Sequence, residues 1–144
     1  MPDAAVEAAR HLPDLFVDTR IYQIVSVDQL YERCRRMLAE AEERVLMELF
    51  PGPLAVLREP IEAAAARGVN VTARIYAPAS LEGVRLVESP YGAENLEAFQ
   101  SDWLSVYVDG RQYLLGLLSR SGDVVYQAVW SANPVLARTF FDSA

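Results

Sequence analysis

Strict two-residue alternation runs through residues 103–109, with Trp103, Ser105, Tyr107 and Asp109 on one side and Leu104, Val106 and Val108 on the other. That is the period of a β-strand. Asp109-Gly110 follows, a pair that tolerates positive φ, so the chain is expected to turn there and return as a second strand over 113–118. Residues 124–130 (VVYQAVW) supply a third strand beside this hairpin. These strands are the most apolar of the chain and carry most of its large aromatics, which places them at the centre of a sheet.

Upstream the period changes. Ser26-Val27-Asp28-Gln29 has the S-x-x-Q spacing of a capping box. It opens a helix to about residue 42, with Val27, Leu30, Tyr31, Cys34, Met37, Leu38 and Ala41 as one apolar stripe. Residues 44–50 (RVLMELF) form a nearly continuous apolar run, which predicts a strand covered on both faces and stopped by Pro51-Gly52-Pro53. A helix begins at 54–61, restarts at Pro60 and closes on Gly68 as a left-handed cap. Residues 69–76 (VNVTARIY) then make a strand parallel to 44–50, since a helix of this length between two strands signals a crossover.

The remaining segments are less regular. Residues 21–25 read as a short strand or extended lead-in, and 84–88 as a short strand inside an otherwise long loop over 77–99. Residues 2–10 read as a short helix stopped by Pro13, and Asn133-Pro134 opens a terminal helix packing through Val135, Leu136, Ala137, Phe140 and Phe141. The sum is an α/β fold: a mixed β-sheet flanked by helices, β-α-β-α-β followed by a hairpin or meander and a C-terminal helix. Residues 1–20 are the lead-in and 21–144 one domain.

Composition narrows the chemistry. A chain of 144 residues is long enough for a core of its own, and a net charge of −7 argues against a nucleic-acid surface. All 13 basic residues are arginine, which removes Schiff-base and P-loop lysine chemistry together. No apolar run is long enough to span a membrane and no signal pattern opens the chain, so a cytoplasmic protein is expected. The single cysteine, Cys34, excludes an internal disulfide and reads as a buried structural thiol. No metal cluster and no nucleotide-binding motif is present, and the lone His11 reads as a surface or capping residue, so no metal or cofactor is expected.

Three constellations remain. Glu48, Asp102 and Asp109 could do acid–base work if they converge, against ordinary turn and strand-end roles. Trp103/Tyr107 and Tyr126/Trp130 stand at i,i+4 on two strands, and would form a sugar-stacking platform if their faces coincide or core packing otherwise. Glu48 and Arg74, with Tyr76 on the parity of Arg74, form either an ion pair or the polar end of a pocket at the carboxyl ends of parallel strands. The candidate ligand-binding residues are therefore Glu48, Arg74, Tyr76, Asp102, Trp103, Tyr107 and Trp130.

Asp109-Gly110 and Gly116 also resemble the frame of the phospholipase D superfamily, His-x-Lys-x4-Asp followed by Gly, a short strand and Gly-Ser-x-Asn. In that frame Asp102 stands where the nucleophilic histidine would be and Leu104 where the lysine would be. Over residues 21–141, the order IYQIVSVDQLYERCRRMLAEAEERVLMELFP, EPIEAAAARGVNVTARIY, VDGRQYLLGLL and VWSANPVLARTFF resembles the phospholipase D-like effector domain of TrmB-type transcription regulators. The resemblance implies a catalytically dead half-site, a small-molecule effector (often a sugar), a homodimer, and DNA contact through a winged-helix domain not present in this chain. The function expected is a non-catalytic effector-binding and dimerisation domain. The alternatives are an enzyme of the same fold using carboxylate chemistry and a pure protein-interaction module.

Overall fold

The computed structural model describes residues 20–133, so the helices expected at 2–10 and from Pro134 onward, and His11, lie outside the described residues. The strands are β1 (Ile21–Gln23), β2 (Arg44–Leu49), β3 (Asn70–Ile75), β4 (Arg85–Glu88), β5 (Ser101–Val108), β6 (Gln112–Ser119) and β7 (Val125–Ser131). The helices are α1 (Val27–Glu40), α2 (Pro51–Ala66) and α3 (Gly92–Ala98). All the strands join one mixed sheet in the order β1-β7-β6-β5-β2-β3-β4. Only β2-β3 and β3-β4 are parallel. The predicted parallel pair is present, and β5 of the predicted hairpin occupies the middle of the sheet.

The hairpin turn forms for the reason its sequence gives: Asp109 and Gly110 both take positive φ, 54° and 64°. Asp109 does more than turn. Its carboxylate accepts from three successive amides, those of Glu42, Glu43 and Arg44, at 2.7–2.9 Å. These amides belong to the link between α1 and β2. They are thereby committed to Asp109, and α1 ends at Glu40 rather than near residue 42.

Helix α1 starts as expected, with the Ser26 hydroxyl accepting from the Gln29 amide at 3.2 Å. Its carbonyl end is capped from a distance. The Arg67 guanidinium, at the C-terminus of α2, donates to the carbonyls of Leu38 at 2.8 Å and Ala41 at 3.2 Å. The apolar stripe of α1 buries Leu30, Tyr31, Cys34, Met37 and Leu38. Cys34 is wholly enclosed, and burial pushes its thiol up to about 12.

Helix α2 corrects the sequence reading. Pro51-Gly52-Pro53 stops β2 as expected and is also the first turn of the helix, which begins before residue 54 and runs unbroken through Pro60. Proline suits a first turn because the amides there have no intrahelical partner in any case. Pro60 removes one interior hydrogen bond, and the packing of Leu54, Leu57, Ile61 and Ala64 against the core holds the helix together across it. Gly68 closes it in the left-handed region at φ 95°.

The two faces of the sheet carry clusters of different size. Both α1 and α2 pack on the same face of the sheet, over Val45, Met47, Leu49, Val71, Ala73, Leu104, Val106 and Leu114. On the opposite face a smaller cluster forms around Tyr107 and Tyr113, flanked by half-buried Leu46, Leu115 and Val129. Strand β2 therefore alternates buried residues under α1 and α2 with half-buried residues on the face of the second cluster. Its apolar run reflects that second cluster. The expected long loop over 77–99 is the second correction: it contains β4, as predicted, and also α3.

Asp109→Ala should lower stability by about 2 kcal/mol, from lost charged hydrogen bonds and the cost of a left-handed alanine. Asp109→Asn, which keeps an acceptor and tolerates the turn, should cost less. The shift of the urea midpoint at unchanged slope measures both.

Candidate functional site

Glu48 lies on the face opposite α1 and α2. The sheet register sets Arg74 beside it on β3 and Ser105 beside it on β5. Ser105 Oγ donates to Glu48 Oε1 at 3.1 Å, and Trp103 Nε1 donates to the same oxygen at 3.4 Å. Tyr76 donates its hydroxyl to Oε2 at 3.2 Å. Arg74 Nη1 stands 3.9 Å from that oxygen, with about half of its side chain exposed. An exposed pair at that distance contributes at most about 1 kcal/mol, so the neutral donors hold the carboxylate and the arginine only accompanies it. Burial, followed by the charge and hydrogen bond of Glu48, raises the Tyr76 phenol above its ordinary value. Tyr76 therefore stays protonated and remains a donor.

Next to this cluster the chain leaves a cavity of about 230 Å³. It is lined by Phe50, Tyr76, Asn95, Phe99, Ser101, Trp103 and Leu117. Phe50 and Tyr76 directly follow β2 and β3, so the cavity sits at the carboxyl ends of a parallel pair, where a crevice opens as the chain departs. Their rings meet at 4.6 Å between centroids and 49° between planes, forming one wall. Helix α3 and the residue after it supply the other, through Asn95 and Phe99. Polar groups are few: the Asn95 amide, the Ser101 hydroxyl and the Tyr76 phenol.

The structure brings Glu48, Arg74, Tyr76 and Trp103 together. Tyr107 shares their face but is 6% exposed and packs on Tyr113. Burial, and then the charge of Glu48, raises its phenol. Asp102 and Trp130 are elsewhere. Asp102 points to the helix-bearing side, 5% exposed, where it meets Arg120 Nε at 3.4 Å and crowds Gly52 in the first turn of α2. Burial raises its carboxyl above the usual range, partly opposed by Arg120. Trp130 is registered against Tyr22 and Leu114, also on the helix-bearing side. There it stacks on Tyr22, carries the Arg33 guanidinium 3.9 Å above its ring and donates to Gln112 at 3.1 Å.

The expected four-ring platform is therefore not formed. Trp103 and Tyr107 lie on one face, Trp130 on the other, and Tyr126 is 59% exposed. Alternation fixes parity within each strand, but the register through β6 decides which parities share a face. The three carboxylates are also apart: Glu48 and Asp102 occupy different faces, and Asp109 is at the far end of β5 in its turn. Among the described residues no group of His, Cys, Asp and Glu could hold a metal ion. No helix among them is long and apolar enough to cross a membrane. The sequence reading missed Phe50, Asn95, Phe99, Ser101 and Leu117. Two of these lie on or just after α3, whose seven residues are too few to show a helical period.

Comparison with known proteins agrees with this architecture. The family model described as transcriptional regulator TrmB, EBD (effector-binding domain) N-terminal subdomain, matches residues 20–141. Among solved structures, TrmBL2, titled an archaeal chromatin protein with a novel mode of DNA binding, superposes with a TM-score of 0.60 at 17% identity. That match covers 98% of this chain and 60% of the other, so this chain spans less than two thirds of that relative. NucT from Helicobacter pylori gives a TM-score of 0.61 at 9% identity, covering 86% of this chain and 94% of its own. Nuc from Salmonella typhimurium, a phospholipase D family member, gives 0.52 at 14% identity, covering 86% and 91%. At these identities the likeness is one of fold: a phospholipase D-like α/β domain. No curated protein sequence matches the chain.

Two outcomes are expected of the carboxylates. Glu48→Ala should cost about 2–3 kcal/mol, because it strands the buried Ser105 hydroxyl and the Trp103 indole, whereas Arg74→Ala should cost under about 0.5 kcal/mol. Urea unfolding of the two variants measures the difference. Asp102 has a folded pKa above its unfolded value, so its contribution to stability is complete below the unfolded pKa and is lost as pH rises through the folded one. The melting temperature of Asp102→Asn relative to the parent should accordingly climb as pH rises above the ordinary aspartate pKa of about 3.9.

Proposed function

This chain belongs to the TrmB family of transcriptional regulators, as the N-terminal subdomain of an effector-binding domain, and on that premise we propose that it takes its effector in the aromatic cavity beyond β2 and β3. The observation that carries the proposal is the lining itself. Phe50, Tyr76, Phe99 and Trp103 offer ring faces, while Asn95 and Ser101 offer hydrogen bonds at the margin. At about 230 Å³ the cavity lies below the range of drug-sized pockets, and it suits a single-ring metabolite. A sugar fits that chemistry: its apolar face stacks on an aromatic ring and its hydroxyls meet the amide and the serine. The Glu48 carboxylate sets the orientation of two lining residues, Tyr76 and Trp103, by accepting a hydrogen bond from each.

The role is binding rather than catalysis. Glu48, Asp102 and Asp109 do not converge, so the carboxylate chemistry weighed from the sequence has no constellation to use. The working unit is a homodimer, supported by the half-buried Leu46, Leu115 and Val129 around Tyr107 and Tyr113 on the face opposite α1 and α2. DNA is contacted through a winged-helix domain of the same regulator, since an acidic chain at −7 makes a poor phosphate surface. The effector then acts by binding one arrangement of the dimer better and shifting its population.

A thermal-shift screen of sugars, sugar phosphates and other small metabolites should find one class that raises the melting temperature. Calorimetry on that class should show Phe99→Ala and Asn95→Ala each weakening binding about tenfold or more, as loss of a stacking ring or hydrogen bond implies. Unchanged affinity in both variants would place the effector elsewhere. Sedimentation equilibrium at micromolar protein tests the dimer.

A further inference from the structure

We infer that Arg120 is a positioning residue for the cavity: it holds α3, the wall that carries Asn95 and Phe99, and does so without facing the effector itself. The inference rests on the effector reading of the cavity and concerns what keeps that site in shape.

Helix α3 has little of its own to hold it. Gly92 is its one buried residue, and the residues flanking it, Tyr91 and Phe99, are 66% and 54% exposed. A seven-residue helix without an apolar anchor needs outside attachment. At its start the attachment is backbone on backbone. Gly92 lies so close to the Tyr76 carbonyl that an added Cβ would stand 2.5 Å from the oxygen, and the Ser89 amide donates to the Ile75 carbonyl at 2.8 Å.

At its end the attachment is Arg120. One guanidinium nitrogen donates to the carbonyls of both Leu96 and Phe99, which are among those a helix leaves unpaired at its C-terminus. The positive charge also faces the negative end of the helix. The Nε edge of the same group lies 3.4 Å from Asp102, which is rooted in the core at 5% exposure. One side chain thus ties a thinly anchored element to one rooted in the core.

Arg120 is itself presented by a braced turn. The Ser119 hydroxyl accepts from the amides of Asp123 and Val124 at 3.2 and 3.0 Å. Ser119 and Ser121 both donate to the Asp123 carboxylate, which these bonds hold below its ordinary range. The β6–β7 turn is therefore fixed before the guanidinium reaches α3, and little freedom is lost in forming the contact.

Hydrogen exchange on the free protein tests this without any effector. In Arg120→Ala, amides of residues 92–99 should exchange at least about tenfold faster, while those of β2 and β5 keep their parent rates. Arg120→Lys, which keeps the charge but not the fork, should fall between. In a Trp130→Phe background, acrylamide should quench Trp103 more strongly once Arg120 is replaced by alanine. Parent-like exchange over 92–99, or an equal rise throughout the sheet, would overturn the inference. Neither result bears on whether Phe99→Ala alters effector binding, so failure here is distinguishable from failure of the cavity reading.

Discussion

The bond on which the rest of the arrangement depends is the one between the Asp109 carboxylate and the amides of residues 42–44. Sequence distance makes it informative: it joins the tip of the hairpin to a link more than sixty residues earlier. Once Asp109 is seated, its own amide donates to the Arg44 carbonyl at 2.9 Å and β5 runs back along β2 from Val108 opposite Val45. Ser105 then falls opposite Glu48 and Leu104 opposite Leu49. A slip of one residue would carry Trp103 and Ser105 to the helix side and leave Glu48 without its donors. The polar cluster beside the cavity is thus a consequence of a turn at the other end of the strand.

The arginine-only basic composition has a structural counterpart. Arg67 and Arg120 do the same work at two places, each fanning one guanidinium over carbonyls at the end of a helix, α1 and α3 respectively. A planar fork can serve several acceptors from one rotamer, whereas an ammonium must hold them at a single point. Both helices end without a basic residue in their own last turn. Their C-terminal compensation comes from the neighbouring element in space, which ties helix termination to tertiary packing.

What could be read from the sequence was whatever is decided locally. The Ser26 cap, the Asp109-Gly110 turn, the Gly68 cap and the parallel pairing of β2 with β3 all follow from short-range chemistry, and the resemblance to the TrmB effector domain followed from their order. What could not be read was set by relations between strands. Trp130 looked like a partner for Trp103 because both sit at i,i+4 from another ring, yet the intervening β6 puts them on opposite faces. Pro51-Gly52-Pro53 stops β2 as its composition suggests, and only the packing of Leu54 and Leu57 shows that it also starts α2. Asn95 and Phe99 had no periodic signal at all, because α3 is held by carbonyl contacts rather than by an apolar stripe.

The burial of Cys34 has a practical consequence. It is the sole thiol of the chain, enclosed between α1 and the sheet and pushed far from the thiolate form. An alkylating reagent can meet it only in those moments when α1 has lifted away and the sulfur has regained its solvent-like acidity. The protein therefore carries an intrinsic clock for the opening of its own core, readable by mass without introducing a label.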